Sequence, residues 1–157
     1  MVLLRNKYFI VASLTLILIV ISFTAVNYVE NEGFNPTDEG VVLAQSWRII
    51  NGEVPHSDFI SIRPAASGYL HSLIFAFPGH LVPNARWFVL FQYFMIALIM
   101  SLMLFREIER VLQLKIHFIY FFSLLISGFT VVVLNYNLYS WTTIDAVFWS
   151  VLAMPLV

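Results

Sequence analysis

The chain has 157 residues, of which 61% are hydrophobic and only 11% charged, with a formal net charge of −1 and a mean hydropathy of +0.87. Soluble domains carry about 25% charged residues, so the deficit excludes an ordinary soluble domain and indicates an integral membrane protein. A charge balance near zero leaves no electrostatic footprint for nucleic acid. The absence of cysteine excludes a disulfide framework and thiolate metal sites, and leaves the redox compartment undecided.

Positions 8–29 carry no charge and run for about 22 residues, long enough to cross a hydrocarbon core of ~30 Å. Arg5 and Lys7 precede them. The run exceeds the apolar core of a signal peptide, about 7–15 residues, and no clear small-x-small cleavage site follows it. It reads as an uncleaved first span. Three more spans follow at about 87–105, 116–134 and 144–157, with a long mixed stretch, 30–86, between the first and second. Tyr and Trp lie near several of the span ends, where interfacial belts require them.

Two helices are expected within 30–86. Thr37 is the expected N-cap of the first, with Asp38, Glu39 and Gly40 in its opening turn. It should run to about Asn51, with Gly52 at the position after the cap. On a helical wheel Leu43, Ala44, Trp47 and Ile50 make one apolar stripe that can rest on lipid or protein, while Asp38 and Gln45 face the other way, toward water. Val42 and Ile49 fall on the Asp38 side, which predicts that this face is also covered. The second segment, 65–82 (AASGYLHSLIFAFPGHLV), is apolar but short, and Pro78-Gly79 interrupts it. It reads as a helix lying at the membrane surface or dipping into it, with Pro64 at or near its first turn.

Basic residues set the orientation. Arg5, Lys7, Arg106, Arg110 and Lys115 cluster at the start and between the second and third spans, so both segments are expected in the cytoplasm. The loop 30–86 and the short loop near 135–143 are then outside. The last residues, VFWSVLAMPLV, stop within an apolar run without a polar tail, which reads as a fragment or a truncated reading frame. The expected fold is all-α: a polytopic transmembrane helical bundle over 1–157, with amphipathic surface helices in its first outer loop.

Candidate chemistry collects in the outer loops. Asp38 and Glu39 suit a helix start, where acids gain about 0.3–1 kcal/mol from the dipole; a carboxylate there can equally act as a general base toward a hydroxyl within reach. Arg63 can be an interfacial cation or a bidentate phosphate clamp. Asp145, opening the last span with Thr142 or Thr143 as a cap, is a capping acid or a functional one, since acids at membrane depth are costly, about 2.5–3.5 kcal/mol at the bilayer centre. His56 and Asp58 are the only close His–Asp pair, and with Asp38 they are the candidate ligands for a divalent metal ion; a metal site needs more ligands than the pair supplies. His71, His80 and His117 read as structural. Glu107 and Glu109 beside Arg106 and Arg110 read as a solvated charge cluster of small energetic weight.

The order of these features resembles the amino-terminal part of the GT-C type integral-membrane glycosyltransferases, in particular the protein O-mannosyltransferase and lipid A aminoarabinose transferase group. An acid pair opens a helix outside the first span (TDEGVVLAQSWRIINGEVP). A loop (HSDFISIRP) and a second helix (AASGYLHSLIFAF) follow, and then Arg86 opens the next span (NARWFVLFQYFMIAL). The likeness covers nearly the whole chain. It implies that Asp38 is the catalytic base with Glu39 beside it, that Arg63 contacts the phosphate of a polyprenyl-phosphate sugar donor, and that Asp145 is the further acid of the second outer loop. The implied partners are that donor, a glycan, lipid or protein acceptor, and the bilayer. Many relatives have an acid and a Lys before the Pro where this chain has Ser61-Ile62-Arg63-Pro64.

Two other classes compete. A transporter subunit would place its ionisable residues at the bilayer midplane in broken helices, whereas here they gather in the outer loops. A non-catalytic membrane scaffold would use 30–86 only as a docking surface.

Overall fold

The structure is a computed structural model that describes residues 33–113, 117–136, 138 and 140–154, together with 13, 16, 17, 20, 21, 23–25, 27, 29 and 31. All regular structure among these residues is helical: α1 (Glu39–Ile50), α2 (Ala65–Ser72), a 3-10 turn (Leu73–Ala76), α3 (Leu81–Leu112), α4 (Phe118–Asn135) and α5 (Thr142–Ala153). The described positions between 13 and 31 are helical too. Much of the expected first span, the start of the expected third at 116, and the end of the fourth at 155–157 lie outside the described residues.

The expected helix over 65–82 is two pieces. α2 tightens into the 3-10 turn, and Phe77 leaves helical space at φ −95° and ψ 135°, as a residue before proline is pushed to do. Gly79, at φ 111°, completes the break in a conformation that only glycine adopts cheaply. α3 then starts at Leu81 rather than near Trp87, so Arg86 lies inside the helix instead of opening it. Pro83 is accommodated because the first turn has no internal hydrogen bond to lose. The 32 residues of α3 extend about 48 Å at 1.5 Å per residue.

The main core is built from residues spaced four apart. Val89, Tyr93 and Ala97 of α3 meet Phe121, Leu125 and Phe129 of α4, and Ile21, Ala25 and Val29 of the amino-terminal helical segment meet both. Such spacing puts each trio on one face of its helix. Leu138 and Ile144 close the cluster. A second group joins α1 to the start of α3 through Leu43, Ile74 and Ala85. A third seats α5 on α3 through Phe148, Val151 and Ile96.

α3 and α4 are each long and apolar enough to cross a membrane, yet only 33% of the most apolar window of α3 and 17% of that of α4 is buried. A helix at the centre of a soluble fold buries most of such a window; here Phe91, Met100 and Leu104 on α3, and Phe122, Val131 and Leu134 on α4, face outward. An apolar exterior of this extent suits lipid better than water.

α1 departs from the expected wheel. Its buried residues are Glu39, Val42, Leu43, Gln45 and Ser46, whereas Trp47 and Ile50 are exposed. The face seated on the protein shares only Leu43 with the Leu43–Ala44–Trp47–Ile50 stripe, and the rest of the stripe faces outward, on the side that lipid would cover. Val42 is covered as expected, but Gln45 is not in water: it packs against α2 at Gly68, where a Cβ would come within 2.8 Å of Gln45 Cγ and of Ile49 Cδ1.

Candidate functional site

The site begins with the turn into α1. Asn35 Oδ1 accepts the backbone N–H groups of Thr37 (3.0 Å) and Asp38 (3.2 Å), so Asn35 organises the entry that the sequence assigns to Thr37. Asp38 occupies the N-cap position and makes no capping bond with its side chain. Its carboxylate thus remains available to reach across the fold.

It reaches Arg63. Arg63 Nη2 donates to Asp38 Oδ1 at 2.7 Å, and Nη1 donates to Thr142 Oγ1 at 3.4 Å. The Asp38 and Arg63 side chains are 25% and 27% exposed, enough for solvent or a ligand to reach both. Pro64 fixes the chain at the N-cap of α2, and Ser61 Oγ donates to the Arg63 carbonyl at 2.6 Å, so the backbone that delivers the guanidinium is held on both sides. Among the described residues the remaining N–H groups of Arg63 have no partner, and a guanidinium carries five.

Glu39 turns inward. It is fully buried, where Arg86 Nε donates to its Oε1 at 3.0 Å and Nη2 to its Oε2 at 3.1 Å. Arg86 also donates to the carbonyls of Val29 (3.2 Å) and Gly33 (2.9 Å), and the Asn35 N–H donates to Glu39 Oε2 at 3.3 Å. The acid pair of the sequence is therefore split: one carboxylate faces the accessible side, while its neighbour ties the amino-terminal segment, α1 and α3 together.

Asp145 is also buried, at 2% exposure. Neither Thr142 nor Thr143 caps its helix; the N-cap is Trp141, with no side-chain cap, and the Thr142 hydroxyl is engaged by Arg63. Asp145 Oδ1 lies 3.0 Å from His71 Nε2 and accepts from Gln92 Nε2 at 2.8 Å. His71 Nδ1 lies 3.3 Å from Ser140 Oγ. The ring edge of His71 meets Phe88, with centroids 5.3 Å apart. The scattered histidine of the sequence thus belongs to a buried polar cluster drawn from α2, α3, α5 and the loop before α5. His71, Gln92 and Ser140 were not legible as partners. The one available signal was Gln92 itself, a polar residue inside WFVLFQYFMIAL, where an amide needs a partner.

The candidate metal trio is not assembled. Asp58 Oδ2 accepts the Val54 N–H at 2.7 Å and the His56 N–H donates to the Phe59 carbonyl at 2.8 Å, so both residues close their own loop. That loop leans on α1 through the Arg48–Glu53 ion pair and the Arg48 guanidinium, 4.2 Å above the Phe59 ring. Among the described residues no three of His, Cys, Asp or Glu are grouped so as to hold a metal ion.

An apolar groove of about 710 Å³ lies beside this region, between the 3-10 turn and the start of α3, lined by residues that include Ile74, Phe77, Pro78, Trp87 and Phe88. Phe88 is both a wall of the groove and the neighbour of His71. No protein-family model, curated protein or solved structure matches this chain.

Proposed function

We propose that this chain carries the donor-binding and base-bearing part of a multi-pass membrane glycosyltransferase, which moves a sugar from a polyprenyl phosphate to an acceptor hydroxyl. The observation that supports it most directly is the Asp38–Arg63 pair: a carboxylate and a guanidinium from separate segments, side by side at 2.7 Å and both partly open, while Glu39 and Asp145 are buried. One group suits a proton acceptor and the other an anion.

In the reaction, the Asp38 carboxylate takes the proton of the acceptor hydroxyl as its oxygen attacks the anomeric carbon. The bond from that carbon to the donor phosphate oxygen breaks, and its electron pair leaves with the phosphate. Arg63 stabilises the charge that develops there. Attack opposite the leaving group inverts the sugar carbon. The apolar groove beside α3 is a fitting seat for the prenyl chain, since lipid-like ligands take concave apolar surfaces with few polar groups. In this proposal the amino terminus is cytoplasmic and 30–86 lies at the outer membrane face, where an amphiphilic donor and a water-borne acceptor can meet.

The test is transfer from a radiolabelled prenyl-phosphate sugar in membranes carrying the full-length enzyme that contains this chain. Asp38→Asn keeps the shape and removes the base, and should lower transfer by about 10²–10⁴-fold, the usual weight of general-base catalysis. Undiminished transfer by this variant removes Asp38 from the role.

A further inference from the structure

We infer that His71, Asp145 and Gln92 form a positioning brace for Arg63, so that Asp145 serves the site through geometry and not by touching substrate; the inference rests on Arg63 receiving the donor phosphate. Arginine has a long side chain, and its value as an anion clamp depends on how far its backbone and fork are held before the anion arrives. Arg63 immediately precedes Pro64, the N-cap of α2, and His71 lies in the last turn of the same helix. At the near end, Arg63 Nη1 donates to Thr142 Oγ1 at 3.4 Å. At the far end, His71 meets Asp145 at 3.0 Å, on the same opening turns of α5. Two contacts therefore join the segment 63–72 to the start of α5, one ahead of α2 and one in its last turn. A third, from Ser46 Oγ to the Gly68 carbonyl at 3.0 Å, joins α2 to α1, the helix that Asp38 opens.

Burial argues against direct chemistry at the brace. His71 and Gln92 are 0% exposed and Asp145 is 2% exposed, so an acceptor hydroxyl has no approach to them. The hydrogen bonding is also one-sided. Asp145 Oδ1 receives both His71 Nε2 and Gln92 Nε2, whereas Oδ2 has no partner among the described residues. His71 Nε2 lies against Asp145 Oδ1 and Nδ1 against the Ser140 hydroxyl, so both ring nitrogens have a partner. The brace therefore uses one acceptor oxygen at position 145, which an amide can supply as well as a carboxylate.

The experiment measures the Kd of farnesyl phosphate for the chain in nanodiscs, with farnesol and inorganic phosphate as controls that separate the tail from the free anion. Arg63→Ala should weaken binding by about tenfold or more, as loss of a charge-assisted clamp does. His71→Ala and Gln92→Leu should each weaken it several-fold in the native background and cause no further loss in the Arg63→Ala background, because groups that act through one another are not additive. Asp145→Asn should bind within about threefold of the native chain, since the Oδ1 acceptor is kept, while Asp145→Ala should behave as His71→Ala. Gln92→Leu also removes the unpartnered Gln92 Oε1, so it and Asp145→Asn carry the test if His71→Ala fails to fold. Native binding by His71→Ala and Gln92→Leu, or losses that add in full to that of Arg63→Ala, overturns the brace alone. Equal losses in Asp145→Asn and Asp145→Ala also overturn it, because the charge would then be in use. Undiminished binding by Arg63→Ala removes the donor proposal and the brace with it.

Discussion

Asp38 and Glu39 are adjacent and chemically almost the same, yet their surroundings give them different tasks. Glu39 is desolvated against Arg86, Arg86 also donates to the Val29 and Gly33 carbonyls, and the Asn35 N–H reaches Glu39 Oε2. Breaking such a buried pair leaves one charge stranded, at a cost of about 3–5 kcal/mol. The Asp38–Arg63 pair is partly hydrated, and pairs of that kind contribute about 0–1 kcal/mol. Glu39→Ala should therefore lower the unfolding midpoint in detergent sharply, while Asp38→Ala should leave it nearly unchanged. Similar midpoints for the two variants would show that the acids are not divided in this way. The acidic dipeptide itself was plain in the sequence. Its division was not, because the deciding cation, Arg86, comes from a distant helix.

At the scale of elements, the contact between α1 and α2 depends on a missing side chain. Alanine is the better helix former by about 0.8–1.0 kcal/mol, so Gly68→Ala ought to stabilise α2 in isolation. In the fold its Cβ would fall 2.8 Å from Gln45 Cγ and Ile49 Cδ1, and overpacking of that kind costs about 1–3 kcal/mol. The variant should unfold at a lower temperature and bind prenyl phosphate less well, since α2 is displaced from α1. A rise in stability would mean that the two helices yield easily. The end of α1 was readable at Asn51 and Gly52, where the chain turns at φ 90°. Its buried face was not, because a wheel ranks apolar residues against water and cannot know that Ser46 would find the Gly68 carbonyl or that Trp47 would remain exposed.

For the whole molecule, α3 and α4 present apolar exteriors over membrane-spanning lengths. Orientation is open to direct measurement, because the chain contains no cysteine and any introduced thiol is unique. Ser57→Cys, in the exposed loop after α1, should react with an impermeant maleimide added from outside intact cells. Val111→Cys, near the end of α3, should react only after the membrane is opened. The reverse pattern would place Asp38 and Arg63 in the cytoplasm and remove the proposed meeting of a lipid-linked donor with an external acceptor.

By itself the sequence determined the helical class, the presence of the apolar runs that became α3 and α4, and the break at Pro78-Gly79. These follow from composition, periodicity and local backbone preference, which act over a few residues. The tertiary structure alone decided that Asp38 meets Arg63, that Glu39 is taken by Arg86, and that His71 and Gln92 meet at Asp145 with Ser140 on the far side of His71. Each of those outcomes is a competition among polar groups far apart in the chain for the few partners that burial leaves within reach, and only the packed fold brings the competitors together.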